Sequence, residues 1–273
     1  MPARHKILMC RPDHFTVSYN INPWMDGEEG EVSRGRALAQ WQALRDVLAR
    51  VAEVELIPAQ PQLPDMVFTA NAGVVNGRRV IVSRFSPPER RGEEPHFRDW
   101  FASRGFELVA WPEELVFEGA GDALLDRGGP WVWAGYGQRT ALAAHERLAA
   151  FYPERETVSL RLVDPYYYHI DTCLAPLEGG YLLYYPEAFD EEGRAAIERR
   201  VAPERRIAVN AAEADALSCN AVNLDRHVFL NNPSERLRNV LETAGFEVTG
   251  VDVSEFMKSG GAAKCLVLRL DEP

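Results

Sequence analysis

Apolar residues Ala37, Leu38, Trp41, Leu44, Val47, Leu48 and Val51 recur at helical spacing, which predicts an amphipathic helix over 33–51. The pattern then changes to a short strand-like run at 54–57, closed by Pro58. Residues 66–75 and 80–82 flank Asn76-Gly77, a pair suited to the positive φ angles of a tight hairpin. The unit therefore reads helix, strand, loop, strand, tight turn, strand. The same order returns along the chain. Helices are predicted over 96–104, 138–150, 191–200 and 234–244, each followed by a strand at 105–109, 158–162, 207–209 or 246–248. Strand–turn–strand segments lie between them: 123–125 with 131–133, 169–174 with 181–185, and 220–224 with 228–230. The last unit ends in a strand over 265–270 with no partner after it, and residues 6–10 can supply one and close a ring. Units of about 50 residues cannot each bury a hydrophobic face alone, so a closed array of five is the physical solution. No Ser/Gly-rich linker or run of charge divides the chain, and one domain over 1–273 is expected.

Composition narrows the function classes. The 273 residues are 46% hydrophobic and 26% charged, values ordinary for a soluble globular protein. A formal charge of −11 argues against a nucleic-acid surface, which needs clustered Lys and Arg. An acidic field mildly favours cationic small molecules, although charge on solvated helix faces explains the same value more simply. The four cysteines, Cys10, Cys173, Cys219 and Cys265, are scattered without a CxxC pair or zinc-type His spacing, so neither a metal nor a cofactor is expected. They read as reduced thiols of a cytoplasmic protein. The apolar stretch 7–10 is too short for a signal peptide and no 18 apolar residues run together, so no membrane partner is expected. Homo-oligomerisation is left open.

Five short polar clusters fall in register with the repeat. They are Asp65-Met66-Val67-Phe68-Thr69-Ala70-Asn71, Phe117-Glu118-Gly119, His169-Ile170-Asp171, Ser218-Cys219-Asn220 and Gly260-Gly261-Ala262-Ala263-Lys264-Cys265. With Asn71, Glu118, His169, Asn220 and Cys265 as markers, the gaps are 47, 51, 51 and 45 residues, so each unit delivers one loop to a common centre. An ordered Glu, His and Cys set holds the parts of a thiol-dependent site: a nucleophile, a proton carrier and a carboxylate that orients it. A cysteine heading the apolar run 266–268 would by itself be core; its register with the other clusters argues otherwise.

In this order and spacing, Phe68-x-x-Asn71, Phe117-Glu118-Gly119-x-Gly121-Asp122, His169-x-Asp171 and Gly260-Gly261-x-x-x-Cys265 resemble the motifs of the guanidine-modifying superfamily. That superfamily includes arginine deiminases, dimethylarginine hydrolases, amidinotransferases and arginine dihydrolases, and the resemblance covers essentially the whole chain. It implies an α/β fold, the five-bladed ββαβ propeller called the pentein fold, with a central active site and a small guanidino substrate such as arginine. Cys265 would attack the guanidinium carbon, His169 would serve as general acid and base, and Glu118 would orient His169. The resemblance makes Asp171 the guanidinium-binding carboxylate, Asp65 an acidic residue near the substrate's polar end and Phe68 an aromatic wall. Arg90 and Arg139 match the arginines that hold the α-carboxylate in dimethylarginine hydrolases; an ordinary surface arginine is the alternative for both. Asp122 is expected to brace the glycine-rich turn. His145, Cys10, Cys173 and Cys219 are read as structural, and Asn220 as the marker of a blade only.

One departure bears on the reaction. Deiminases, amidinotransferases and dimethylarginine hydrolases carry aspartate where this chain has Asn71. Asparagine removes a charge and adds an amide that both donates and accepts, which suits a neutral ureido group held for a second attack. The segment Asn22-Pro23-Trp24-Met25 reads as an ordered loop, with Asn22 placed to form a lid and a buried Trp anchor as the alternative. Together with Asn71 it resembles the arginine dihydrolase branch, whose members convert arginine to ornithine, carbon dioxide and two ammonia. Some members carry a further domain related to ornithine metabolism, so nothing about downstream ornithine use follows from this chain. The alternatives are a one-step hydrolase of arginine or dimethylarginine that stops at citrulline and, from another class, a non-catalytic binding module of the same fold. An amidinotransferase fits less well, because those chains are longer.

Overall fold

The structure, a computed structural model, describes residues 4–273. Strand β1 (His5–Cys10) lies parallel to β2 (Ala52–Ile57) after the crossover helix α1 (Arg34–Leu48). Next come the hairpin β3–β4 (Gly73–Asn76 and Arg79–Val82), helix α2 (Glu93–Ser103) and β5 (Glu107–Leu108), parallel to β4. The pattern repeats with β6–β7 (Ala123–Leu125 and Trp131–Tyr136), α3 (Ala144–Phe151) and β8 (Glu156–Arg161). Then follow β9–β10 (Leu174–Leu177 and Tyr181–Tyr184), α4 (Glu191–Arg200) and β11 (Arg206–Ala208). A short α5 (Ala211–Asp215) precedes β12–β13 (Val222–Leu224 and His227–Asn231), α6 (Glu235–Thr243) and β14 (Glu247–Val251). After α7 (Ser254–Met257), β15 (Leu268–Arg269) pairs antiparallel with β1, Leu8 opposite Leu268. Five three-stranded sheets result, one of them closed by strands from both ends of the chain, as the run 6–10 predicts.

The structural unit is offset from the unit read in the sequence. Each blade is a hairpin followed by a helix that returns the chain and lays a third strand parallel to the second. Between blades lie four clusters of buried apolar side chains. On α1, Ala37, Trp41, Leu44 and Leu48 belong to one buried cluster with Ile7, Met9 and Phe256, and each buried Leu contributes about 1.5–3 kcal/mol. Among the described residues no helix is long and apolar enough to cross a membrane.

Two boundaries differ from expectation for reasons that concern the centre. The helix expected over 138–150 starts only at Ala144. Arg139 and Thr140 are held out of it by side-chain bonds to Glu118 and Asp122. The strand expected over 265–270 shrinks to two residues. Cys265 lies in a turn instead, its carbonyl accepting from Ala70 N at 3.1 Å. Helices α5 and α7 are absent from the pattern reading, although Asn210 and Glu213 form a capping box that marks α5.

Candidate active site

The polar clusters sit in the turns just before β3, β6, β9, β12 and β15, the first strand of each hairpin or its counterpart. Three of these turns are short 3-10 segments, Thr69–Ala72, Gly119–Gly121 and Ile170–Thr172. Equivalent turns on equivalent strands bring residues about 50 positions apart into contact.

Glu118 and His169 are paired, Nε2 lying 2.7 Å from Oε2 with both side chains buried. The same oxygen accepts from Arg139 Nη1 at 3.1 Å, and Oε1 accepts from Ser86 N at 3.0 Å. Burial alone would push this carboxyl up, but Arg139 and the bond and charge of His169 outweigh it and hold Glu118 down at about 2. A carboxylate so fixed engages Nε2 and leaves Nδ1 as the ring nitrogen that can exchange a proton with a ligand. Asp122 accepts from Ile170 N at 3.0 Å and from Thr140 Oγ1 at 2.7 Å, and lies 4.0 Å from His169 Nε2. It braces the His169 turn as well as its own, and burial pushes its carboxyl up to about 6.

The depressed Glu118 has a stability consequence. A carboxylate lowered from 4.5 to about 2 stabilises the folded state above its unfolded value and loses that contribution as pH falls through the window. Glu118→Gln should therefore be less stable than the parent at neutral pH. The gap, about 3 kcal/mol from this shift, should close steadily as pH drops below about 4.5. Urea unfolding of both proteins from pH 7 to pH 3 measures it; a gap independent of pH would refute the assignment.

Cys265 is buried beside Asp171, with Sγ 3.7 Å from each carboxylate oxygen. Burial and the Asp171 charge push the thiol well above its ordinary value; the Ala262 backbone bond, Lys264 and Asn220 pull against them. Asp171 is shared with Lys264, whose Nζ lies 3.4 Å from Oδ2 and 2.7 Å from the Ala120 carbonyl. A cation docked on Asp171 would cancel the repelling charge and ease thiolate formation. Asn220, read as a blade marker only, is more than that. It contacts the Cys265 backbone, the Cys265 sulfur and the Asp171 carbonyl. Its register with the other markers was the available signal, as was that of Lys264 beside Cys265.

Asn71 is clamped on both amide atoms: Oδ1 accepts from Arg90 Nη1 at 2.9 Å and Nδ2 donates to the Glu118 carbonyl at 3.1 Å. Gly121 permits this, since a Cβ there would overlap Asn71 Nδ2 and press on the His169 ring. Arg90 is not the surface arginine offered as its alternative. It is 3% exposed, and its donors go to Glu93 at 2.9 and 2.8 Å, Asp65 O at 3.1 Å and Asn71. Through Nη1 it braces Asn71. Arg139 is also buried; beyond Glu118 it donates to Ile21 O at 2.8 Å and lies 4.7 Å over the Tyr168 ring.

The remaining residues form the surround. Asp65 accepts from Tyr19 Oη at 2.9 Å and Ser259 Oγ at 3.1 Å, with burial raising its carboxyl. Phe68 packs edge-on to Phe15 at 5.7 Å and against Gly261, where a Cβ would overlap the ring. Asn22 accepts from Trp24 N at 3.0 Å and donates to Ser259 O at 3.2 Å, while Trp24 Nε1 donates to Tyr166 O at 2.8 Å. Through Ile21, Asn22 and Trp24 the loop is tied to Arg139, to the turn before Cys265 and to the segment before His169. His145, bonded to Ser159 Oγ at 2.7 Å and Gly135 O at 3.2 Å, is committed to packing.

Comparison with known proteins shows what the chain is similar to. The profile of the eukaryotic N,N dimethylarginine dimethylhydrolase family matches residues 11–271. The bifunctional arginine dihydrolase/ornithine cyclodeaminase AgrE of Nostoc sp. is 51% identical over the full chain, which spans 39% of that relative's length. The N(G),N(G)-dimethylarginine dimethylaminohydrolase of Mycobacterium tuberculosis is 39% identical over 98% of the chain and 87% of its own length. The crystal structure of the N-terminal domain of ArgZ, a cyanobacterial arginine dihydrolase, in a cysteine-to-serine variant bound to substrate, superposes with a TM-score of 0.97 at 50% identity, covering 98% of this chain and 99% of that one. A profile match over nearly all of the residues and a relative of this identity and coverage place the chain: it belongs to the N,N dimethylarginine dimethylhydrolase family.

Proposed function

We propose that the chain is an arginine dihydrolase that converts L-arginine to ornithine, carbon dioxide and two ammonia through two rounds of covalent chemistry at Cys265. The observation that carries this reading is the clamped amide of Asn71. One Nδ2 hydrogen goes to the Glu118 carbonyl and Oδ1 takes the charged Arg90 donor, which leaves a second Nδ2 hydrogen to offer a ligand; that donor suits a carbonyl oxygen better than a cation. The names of the cyanobacterial relatives support the same reading. Residues 1–273 form one catalytic domain in this reading. Four buried, unbridged cysteines favour a reducing compartment, the cytoplasm.

In the first round the Cys265 thiolate adds to the guanidinium carbon beside Asp171. His169, held by Glu118, protonates departing ammonia and then takes a proton from the water that displaces the sulfur. The product is a citrulline-like ureido species, retained by the Asn71 donor. In the second round Cys265 attacks the ureido carbon and ornithine leaves with a proton from His169. Water cleaves the carbamoyl-thioester, and the released carbamate decomposes to carbon dioxide and ammonia. Two waters are consumed for each arginine.

A one-step hydrolase is the second reading, favoured by the name of the mycobacterial relative. Mass spectrometry of products from arginine, citrulline and dimethylarginine separates the two. One ornithine and two ammonia per arginine are expected. Citrulline accumulating without ornithine, or dimethylamine released from dimethylarginine at a rate rivalling arginine turnover, would overturn the proposal.

A further inference from the structure

We propose that Asn220 is a positioning residue for the nucleophile: its side-chain amide aims the Cys265 sulfur and stabilises the thiolate. The inference rests on Cys265 being the nucleophile but not on which guanidino compound is consumed.

The orientation of the amide is dictated by its partners. The Cys265 backbone N–H can only donate, so the atom 3.0 Å from it is Oδ1. The Asp171 carbonyl can only accept, so the atom 2.9 Å from it is Nδ2. One Nδ2 hydrogen is spent on that carbonyl, and the second is directed at Cys265 Sγ, 3.1 Å away. The residue is fully buried, its own N–H bonded to Leu217 O at 2.9 Å and its carbonyl accepting from Lys264 N at 3.2 Å. One side chain therefore ties the turn before β12 to both the Cys265 turn and the Asp171 turn.

The other groups facing the sulfur explain why a neutral donor matters. Asp171 lies 3.7 Å away and opposes a thiolate. Lys264 favours a thiolate but is divided between Asp171 and the Ala120 carbonyl. Asn220 favours it whether or not a ligand has neutralised Asp171. A hydrogen bond to the charged form lowers a pKa, and one to an ion is worth about one to two pKa units.

The test is the rate of iodoacetamide alkylation at Cys265 against pH, read by peptide mass spectrometry, together with steady-state kinetics. For Asn220→Ala the alkylation rate at a given pH should fall about tenfold or more, with kcat down by a similar factor and KM nearly unchanged. Asn220→Asp fills the same space and keeps the acceptor for Cys265 N–H, but offers no donor to sulfur. Its alkylation should be slower than that of Asn220→Ala. A space-filling role predicts the reverse order, because alanine leaves a cavity and aspartate does not. Alkylation of Asn220→Ala matching the parent, or of Asn220→Asp lying nearer the parent than Asn220→Ala, overturns the proposal. Should both variants misfold, side-chain amide NMR of otherwise unaltered protein decides. One Asn220 amide proton should move upfield when Cys265→Ala removes its acceptor, and two unmoved protons overturn the proposal. If product analysis instead finds no turnover of any guanidino compound, the functional reading fails while the alkylation result still stands.

Discussion

Cys265→Ala should lose turnover by about 10,000-fold or more while remaining folded, because no other group is placed to replace the sulfur. Cys10, Cys173 and Cys219 are fully buried, and burial pushes each thiol up, Cys10 to about 12. Alanine keeps the backbone N–H that Asn220 holds at 3.0 Å, so the turn has no reason to open. The substitution leaves a void the size of one sulfur in a buried site, a loss of about 1 kcal/mol by the usual cost of deleting a small buried group. Stability and activity should therefore part company. Thermal unfolding would shift by a few degrees at most, and rapid-quench mass spectrometry would find in the variant none of the covalent adduct expected of the parent. A variant retaining a tenth of parental activity would show that the chemistry does not pass through this cysteine.

The clusters were legible in the sequence because the fold is a repeat, and a repeat returns chemically unlike residues to equivalent places. Glu118, His169 and Cys265 occupy matching turns before β6, β9 and β15, which spacing alone was able to expose. Blade boundaries were less legible: pattern shows a helix followed by a strand but not which hairpin that strand joins. Closure by β1 and β15 was accessible only through the unpaired last strand. What pattern reading could not supply is how each side chain divides its bonds. Arg90 has the composition of a carboxylate clamp, yet Glu93, three residues on, takes two of its donors. That spacing is visible, but an exposed ion pair has the same spacing, and only burial separates the cases. Asparagine has no proton chemistry of its own, so the sequence marks Asn220 only by its register. Its role depends on three partners, Cys265 N, Cys265 Sγ and Asp171 O, that converge only when the ring closes.

Asn71→Asp should turn the product from ornithine toward citrulline. The two side chains have the same shape, so the change is one of donors and charge. In the native site the outer contacts are fixed, Oδ1 on Arg90 and Nδ2 on the Glu118 carbonyl. Aspartate can keep the first contact but meets the second with an oxygen facing an oxygen, 3.1 Å apart in the asparagine geometry. Arg90 cannot cancel the added charge fully, because Glu93 already engages it through two nitrogens. The carboxylate must then turn its free oxygen toward the ligand. There it strengthens binding of a guanidinium and repels the carbonyl oxygen of a ureido group, where the native amide donated to that oxygen. Replacing a donor by a charged acceptor costs about 1.5–3 kcal/mol for one contact, which corresponds to a tenfold to hundredfold fall in the ratio of ornithine to citrulline. Arginine consumption should fall much less, since the first attack faces a cation. Asn71→Ala, which removes the donor without adding an acceptor, should lie between the two. The measurement is the product ratio at low conversion for the three proteins. A ratio unchanged in Asn71→Asp would detach the second hydrolysis from residue 71.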